Sequence, residues 1–400
     1  MEWKPDVRGG ADTAPLFSVI VLTYLQRHLL NDCLDSIFAQ AYPNIELVVC
    51  DDCSADFDEE EVRAYIDAHK GENIRRVVVH KQPKNVGIAQ NAQAGVELST
   101  GVFFKLHAGD DLLYDETVLK KASYHFSAPA VKVLAARAVA CQYDGAMTEH
   151  YYPVEYTRNC VLNADARTQF NLLATQGWQD YFHAPAMFWR RSFFDALGGF
   201  DLSYRYEADW HLLLKATASG QRITTVDDIA VIFRYGGPFT SGDPADQSLK
   251  NEYYRECARM LRQYGLAPFE VSGDRKKVIR CKQAIRCLEN RLVAENDWGS
   301  WTVWQQLLWR VKNLDFLLLS WLYRKRQQGA SLTHVKGPAL VMALCVVFYV
   351  FGVELIPGRS SAFLWSALFF ILALWLLLKI VGVCCLKLMR AVLSARGRRG

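Results

Sequence analysis

The sequence predicts an α/β domain with a doubly wound, mostly parallel sheet, followed by amphipathic interfacial helices and a C-terminal two-helix transmembrane hairpin. Three observations carry this. Short branched apolar runs alternate with helical periodicity from residue 17 to residue 106. Two apolar stretches, 338–356 and 362–386, each approach the ~20 residues that cross a bilayer as a helix. The charge is also divided. About 20 Lys+Arg and 6 Asp+Glu follow residue 270, against about 26 and 36 before it, so the net +4 over 400 residues hides an acidic front and a basic back.

The elements follow in order. Residues 17–23, FSVIVLT, are a buried strand by their branched apolar content. Residues 28–39 have helical periodicity, and 45–50, IELVVC, form the next strand, ending in Asp51–Asp52. Helix 59–70, strand 75–80, helix 87–98 and strand 102–106 continue the alternation, with Asp110–Asp111 just beyond. Past residue 130 the pattern loosens. Residues 131–142 and 147–156 read as a strand pair around Asp144–Gly145, and 206–218 as a helix with Glu207 and Asp209 at its start. Residues 251–296 read as helices leading toward the membrane part. The parts are a polar tail (1–15), the α/β domain (16–250), a helical linker with an amphipathic interfacial helix (251–336), the hairpin (337–388) and a basic tail (389–400).

The hairpin sets the topology. The link 357–361, PGRSS, is too short for anything but an antiparallel return. Arg324, Lys325, Arg326 and Lys336 precede the hairpin, Lys387, Arg390, Arg396, Arg398 and Arg399 follow it, and only Arg359 lies in the turn. Basic flanks stay cytoplasmic. Both termini are therefore expected in the cytosol, with the domain facing it from a plasma or inner membrane. Trp301, Trp304, Leu308, Val311, Leu314, Leu318 and Leu322 recur at helical spacing before the hairpin, as in a helix lying among lipid headgroups. The first fifteen residues are polar and lack the apolar core of a secretory leader, so the eleven cysteines are expected as reduced thiols. Cys50 and Cys53 make a lone CxxC without the second pair that zinc requires. With 51% apolar residues the chain is not disordered, and its basic excess beside the apolar stretches suits anionic lipid rather than nucleic acid.

In a sheet of this kind ligands sit at the carboxyl ends of the strands, where both acidic pairs fall. Adjacent carboxylates repel and call for a cation or hydrogen-bond donors. A hard divalent ion there takes one or two carboxylates and completes its shell with substrate phosphates and water. A solvated acidic turn is the plainer reading of the same pair. Asp52 is open to two readings, a hydrogen-bond acceptor for a base or ribose, or the N-cap of the following helix. Asp209 is likewise open, as a general base or as an acid favoured by the helix dipole.

Taken in order, SVIVLTY, SIFAQAYPNIELVVCDDCSAD, NVGIAQNAQAGVELSTGVFFKLHAGDDLL and RRSFFDALGGFDLSYRYEADWHLLLKA resemble glycosyltransferase family 2 over residues 16–240. Those are inverting enzymes with the GT-A fold. The resemblance implies a nucleotide-sugar donor, a Mg²⁺ or Mn²⁺ cofactor and the following roles. Thr23 and Tyr24 hold the base, with Asp52 and its neighbour Asp51. Lys84, Asn85 and Gly87 line the nucleotide pocket. Asp110 lies near the ribose and Asp111 binds the metal. Asp209 is the general base, and Glu207, Trp210 and Gly198–Phe200 shape the acceptor site. Leu25, Ala108 and His211 depart from the family pattern. With the membrane part, the expected acceptor is a lipid-linked glycan and the expected partners are the donor and membrane lipids. Polyprenyl phosphate is the alternative acceptor, calling for basic residues near Asp209, for which Arg190, Arg191 and Arg205 are the candidates. A non-catalytic membrane scaffold and a nucleotidyltransferase are the rivals from other classes. The sugar, the nucleotide and the oligomeric state have no signature in the sequence.

Overall fold

The computed structural model describes residues 14–176, 180–237 and 246–296. The expected interfacial helix, the hairpin, the basic tail and nearly all of the N-terminal tail lie outside the described residues. Among the described residues no helix is long and apolar enough to cross a membrane.

The first half follows the alternation. β1 (Phe17–Thr23), α1 (Arg27–Phe38), β2 (Ile45–Asp51), α2 (Glu59–His69), β3 (Ile74–Lys81), α3 (Ile88–Leu98) and β4 (Phe103–Ala108) lead to the short β5 (Leu112–Leu113) and α4 (Val118–Phe126). β2 is buried along its whole length and β1 nearly so, which is why both read as unbroken apolar runs. α1 buries Leu29, Leu30, Cys33, Leu34 and Ile37, one stripe at helical spacing. α3 lies close on the sheet because Gly95 has no side chain; a Cβ there would stand 2.4 Å from Ile20 Cγ2.

β6 (Val133–Cys141) and β7 (Met147–Tyr152) form the expected hairpin. α5 (Glu155–Val161), α6 (Ala166–Gln176), β8 (Met187–Arg190), α7 (Arg191–Ala196), α8 (Trp210–Ala218) and β9 (Thr224–Arg234) complete the sheet layer. α9 (Gln247–Met260), a π-helical turn (Leu261–Leu266), α10 (Ala267–Ser272) and α11 (Arg275–Asn296) follow.

The strand order is β3-β2-β1-β4-β8-β6-β9-β5, with β7 on β6. The mostly parallel sheet expected from the sequence is a mixed one. β3, β2, β1 and β4 pair in parallel, as do β6 and β9; β8 is antiparallel to both β4 and β6, and β5 to β9. Helical crossovers join β1 to β4 in turn, so that half shows the strand–helix alternation; β6 and β9, though parallel, are separated by β7, β8 and four α-helices. β8 is also four residues long, too short to register as a period.

Because β8 runs against β4 and β6, the chain before it comes from the edge where they end. That edge gathers Thr23, Asp51–Asp52, Asp110–Asp111, Arg234 and the segment before Met187. Two cores flank the sheet. One joins α3, α6 and α8 to α9–α11 through residues such as Leu213, Met260, Leu261, Phe269, Cys281 and Ile285. The other lies under α1, α2 and α4. The helices after residue 250, expected as a linker, thus share the core of the α/β domain.

Candidate active site

On the donor side, β1 and β2 end together. Thr23 is buried, and its carbonyl accepts the Asp52 N–H at 2.9 Å. Tyr24 is exposed, and Leu25 takes a left-handed φ of 55°, its N–H donating to Ser54 Oγ at 2.7 Å. Ser54 in turn donates from N and Oγ to the Asp51 carboxylate, at 2.6 and 2.5 Å. Asp51 therefore ties the turn that supports Tyr24.

The Asp52 carboxylate accepts the N–H groups of Val86 at 2.7 Å and Gly87 at 2.9 Å. It is not a helix cap; Asp58 caps α2. Burial raises the pKa of both Asp51 and Asp52 above the ordinary carboxylate value. Asn85 donates to the Asp52 carbonyl at 3.3 Å, and Lys84 is exposed on the same loop. Gly87 has φ +88°, and a Cβ on it would meet Arg205 Cγ at 2.4 Å and Arg205 O at 2.7 Å. The donor loop is thus packed directly on the segment that leads to Asp209.

Asp111 is 1% exposed. Its Oδ1 accepts the Arg234 N–H at 3.0 Å, and its Oδ2 has no hydrogen-bond partner among the described residues. Burial first, then the neighbouring Asp110, pushes its pKa up to about 7. Burial raises Asp110 as well. The Arg234 guanidinium donates to the Asp110 and Tyr143 carbonyls at 3.0 and 2.9 Å and holds this corner in shape. Beneath it Lys105 is fully buried, its ammonium donating to the carbonyls of Leu106 and Pro185. Burial pulls Lys105 down to about 7 against the attraction of Asp111. His107, also buried, is pushed well below the usual histidine value by burial and by Lys105, so it is neutral.

An orphaned carboxylate oxygen in such a setting suits a cation. Among the described residues no group of three or more His, Cys, Asp and Glu makes a self-sufficient metal cage. The residues fit instead an ion held by one carboxylate and completed by substrate phosphates and water, as Mg²⁺ commonly is.

On the acceptor side the helix begins later than the sequence suggests, at Trp210, because Glu207 acts as its cap. The buried Glu207 carboxylate accepts the N–H of Trp210 at 2.7 Å and of His211 at 3.2 Å, and pairs with His211 Nδ1 at 2.9 Å. His211 Nε2 accepts the Asp201 N–H at 3.0 Å, which assigns the Nδ1–H tautomer and a structural role. Glu207 therefore supports the acceptor side from behind rather than lining it. Asp209 occupies the N-cap position without making a side-chain cap bond. Burial and Glu207 raise its pKa to about 6. Trp210 is buried with its indole N–H unpartnered among the described residues.

Arg190 and Arg191 do not come to this edge. The antiparallel direction of β8 carries them to the opposite one, where Arg190 pairs with Phe103 at the start of β4. Arg190 donates to the carbonyls of Phe126 and Val131. Arg191 donates to those of Val96 and Gly101, closing the end of α3. Arg205 is engaged by Asn85 and Tyr206. Arg190 and Arg191 thus do not supply the basic residues that the alternative phosphate acceptor would call for near Asp209.

Several residues escaped the sequence reading. Glu256 on α9 accepts the N–H groups of Arg205, Tyr206 and Glu207 at 2.6, 2.8 and 3.0 Å, fixing the approach to Asp209. Arg234 and Lys105 brace the Asp110–Asp111 corner. His183 and Asp180, paired at 2.7 Å, lie in the segment before β8 that comes to this edge. No local pattern marks any of these five.

Residues 18–198 match the model of Glycosyl transferase family 2. A PGL/p-HBAD biosynthesis glycosyltransferase of Mycobacterium bovis is 25% identical over 218 residues, covering 54% of this chain and 76% of that protein. The uncharacterized glycosyltransferase EpsJ of Bacillus subtilis is 23% identical over 260 residues, covering 63% of this chain and 72% of that protein. Among solved structures, a mannosyltransferase of Pyrobaculum calidifontis in complex with GDP-Man and Mn²⁺ has 18% identity and a TM-score of 0.49, over 81% of this chain and 87% of that one. The stretch 18–198, which holds the ordered strand-end acids Asp51–Asp52 and Asp110–Asp111, is thus similar to family 2 glycosyltransferases.

Proposed function

We propose that the protein is an inverting glycosyltransferase that moves a sugar from a nucleotide-sugar donor to a lipid-linked glycan acceptor at the cytosolic membrane face. The observation that carries this is the buried Oδ2 of Asp111 at the carboxyl edge, unpartnered among the described residues, with the Asp209 side chain on the acceptor side making no cap bond to its helix. The nucleotide is received by Thr23, Tyr24 and the 84–87 loop that Asp52 shapes. Asp111 Oδ2, the donor diphosphate and water would hold Mg²⁺ or Mn²⁺. That ion, when bound, neutralises the departing nucleoside diphosphate.

Asp209 takes the proton of the acceptor hydroxyl. The freed oxygen forms its bond to the anomeric carbon as the bond from that carbon to the diphosphate oxygen breaks, with inversion and without an enzyme nucleophile. A base with a pKa of about 6 is largely ionised near neutrality, as this step requires. The lipid-linked acceptor rests on the two apolar stretches and their basic flanks. A glycan hydroxyl is preferred over a lipid phosphate because Arg190 and Arg191 are held at the far edge of the sheet.

The test is calorimetry on the detergent-purified full chain with UDP, GDP, CDP and dTDP, with and without Mn²⁺, beside Asp111→Ala. Metal-dependent binding of one nucleotide, lost in the variant, is expected. A folded protein that binds none of the four overturns the proposal in favour of a scaffold.

A further inference from the structure

His183 has no part in the roles above, yet its setting is unusual for a bystander. It lies in the turn before β8, on the edge that holds Asp110–Asp111. Its Nδ1 is engaged by the Asp180 carboxylate at 2.7 Å, and its Nε2 is buried without a partner among the described residues. The ring is fixed on two sides, stacked on Tyr152 at 4.9 Å and 22° and edge-on to Phe233 at 5.0 Å and 89°. Phe233 is the neighbour of Arg234, whose N–H donates to Asp111. The turn itself is pinned from below, because the Pro185 carbonyl accepts from the buried Lys105.

Among the described residues the buried Asp111 Oδ2 and His183 Nε2, on neighbouring segments, both lack hydrogen-bond partners, as do the two ring nitrogens of His107 on β4. A buried polar atom without a partner is costly, and a bound ion is one means of satisfying it. With Asp180 accepting from Nδ1–H, Nε2 carries the lone pair, the form in which histidine binds a metal. A carboxylate behind a ligating histidine is the usual means of fixing its tautomer and ring orientation.

We propose that His183, through Nε2, is a protein ligand of the divalent cation bound at Asp111, with Asp180 as its positioning residue. The inference rests on the transferase reading above. It makes the cation site a carboxylate–imidazole pair open on the side of the diphosphate. Through Asp180, whose charge also acts on Asp209, the same pair reaches toward the base.

The experiment uses the full chain with Mn²⁺ and UDP, GDP, CDP or dTDP each in turn, read by pulsed electron paramagnetic resonance. Histidine nitrogen coupling to Mn²⁺ is expected in the wild type and its loss in His183→Gln. Mn²⁺ affinity, measured by calorimetry in the presence of the nucleotide, should fall about tenfold or more, and by less in Asp180→Asn. Mn²⁺–nucleotide binding without nitrogen coupling, or coupling that survives His183→Gln, overturns the assignment and leaves the transferase reading standing. Failure of the wild type to bind Mn²⁺ with any of the four nucleotides overturns both.

Discussion

Replacing Glu256 separates the support of the active site from its chemistry. This side chain is 9% exposed and accepts three backbone N–H groups in a row, from Arg205 to one oxygen and from Tyr206 and Glu207 to the other. In Glu256→Gln one oxygen becomes an NH₂ donor. If the amide oxygen keeps the two-bond side, the NH₂ faces the Arg205 N–H, donor against donor. A hydrogen bond to a charged acceptor contributes ~1.5–3 kcal/mol, and its loss strands a buried donor, so the expected cost is about 2–3 kcal/mol. Glu256→Ala strands all three donors and should cost about 3–5 kcal/mol, in the range of other broken buried networks. At ~2–4 °C per kcal/mol for a domain of this size, the Gln variant should melt about 5–10 °C lower. Tryptophan fluorescence during a thermal ramp, repeated in urea, measures this. A Gln variant within 1 °C of wild type, on the order of a few tenths of a kcal/mol by the same scale, would refute the claim that Glu256 holds the 205–207 segment.

Three further outcomes are expected. Asp209→Asn should lower kcat by about 10²–10⁴-fold while nucleotide binding persists. Since the base must be ionised, wild-type kcat/KM should fall as pH drops through about 6, and a flat profile down to pH 5 would exclude Asp209 as the base. Asp111, raised from 3.8 to about 7 in the fold, contributes stability that is fully present below the unfolded value and lost as pH rises to about 7. Metal-stripped protein should therefore lose melting temperature across that window relative to Asp111→Asn; parallel curves would contradict the buried, unpartnered carboxyl. Gly87→Ala combines a φ of +88° with a Cβ 2.7 Å from the Arg205 carbonyl, so it should cost about 1–3 kcal/mol and weaken nucleotide binding, which calorimetry and melting together would check.

The parallel half of the sheet was legible because each strand and crossover helix carries its own period. Asp52, Asp110 and Asp111 follow strands that announce themselves. β8 could not be read this way. Four residues, MFWR, give no period, and nothing local states that the strand runs backward. That reversal is why Arg190 and Arg191, adjacent in sequence to acceptor-side residues, end at the far edge. The start of α8 was misplaced for a related reason. An acid three residues before the helix and another at its cap position look alike in sequence, and only the Glu207 hydrogen bonds distinguish them. Glu256 acts across about fifty residues and lies on a helix whose pattern says only that it is amphipathic.

The contact between Arg205 and the donor loop has a kinetic and thermodynamic consequence. The Arg205 carbonyl accepts the Ala89 N–H at the start of α3, and its guanidinium holds Asn85, while its own N–H is bound by Glu256. Four residues later the chain reaches Asp209. Any displacement that nucleotide arrival works on residues 84–87 is delivered to the base through a single residue rather than through the bulk of the domain. Linkage makes the exchange symmetrical: whatever factor donor occupancy applies to acceptor affinity, acceptor occupancy applies to donor affinity. An order of addition, donor first, follows if the empty loop leaves Arg205 unanchored, and the Arg205→Ala protein would then take its two substrates in either sequence.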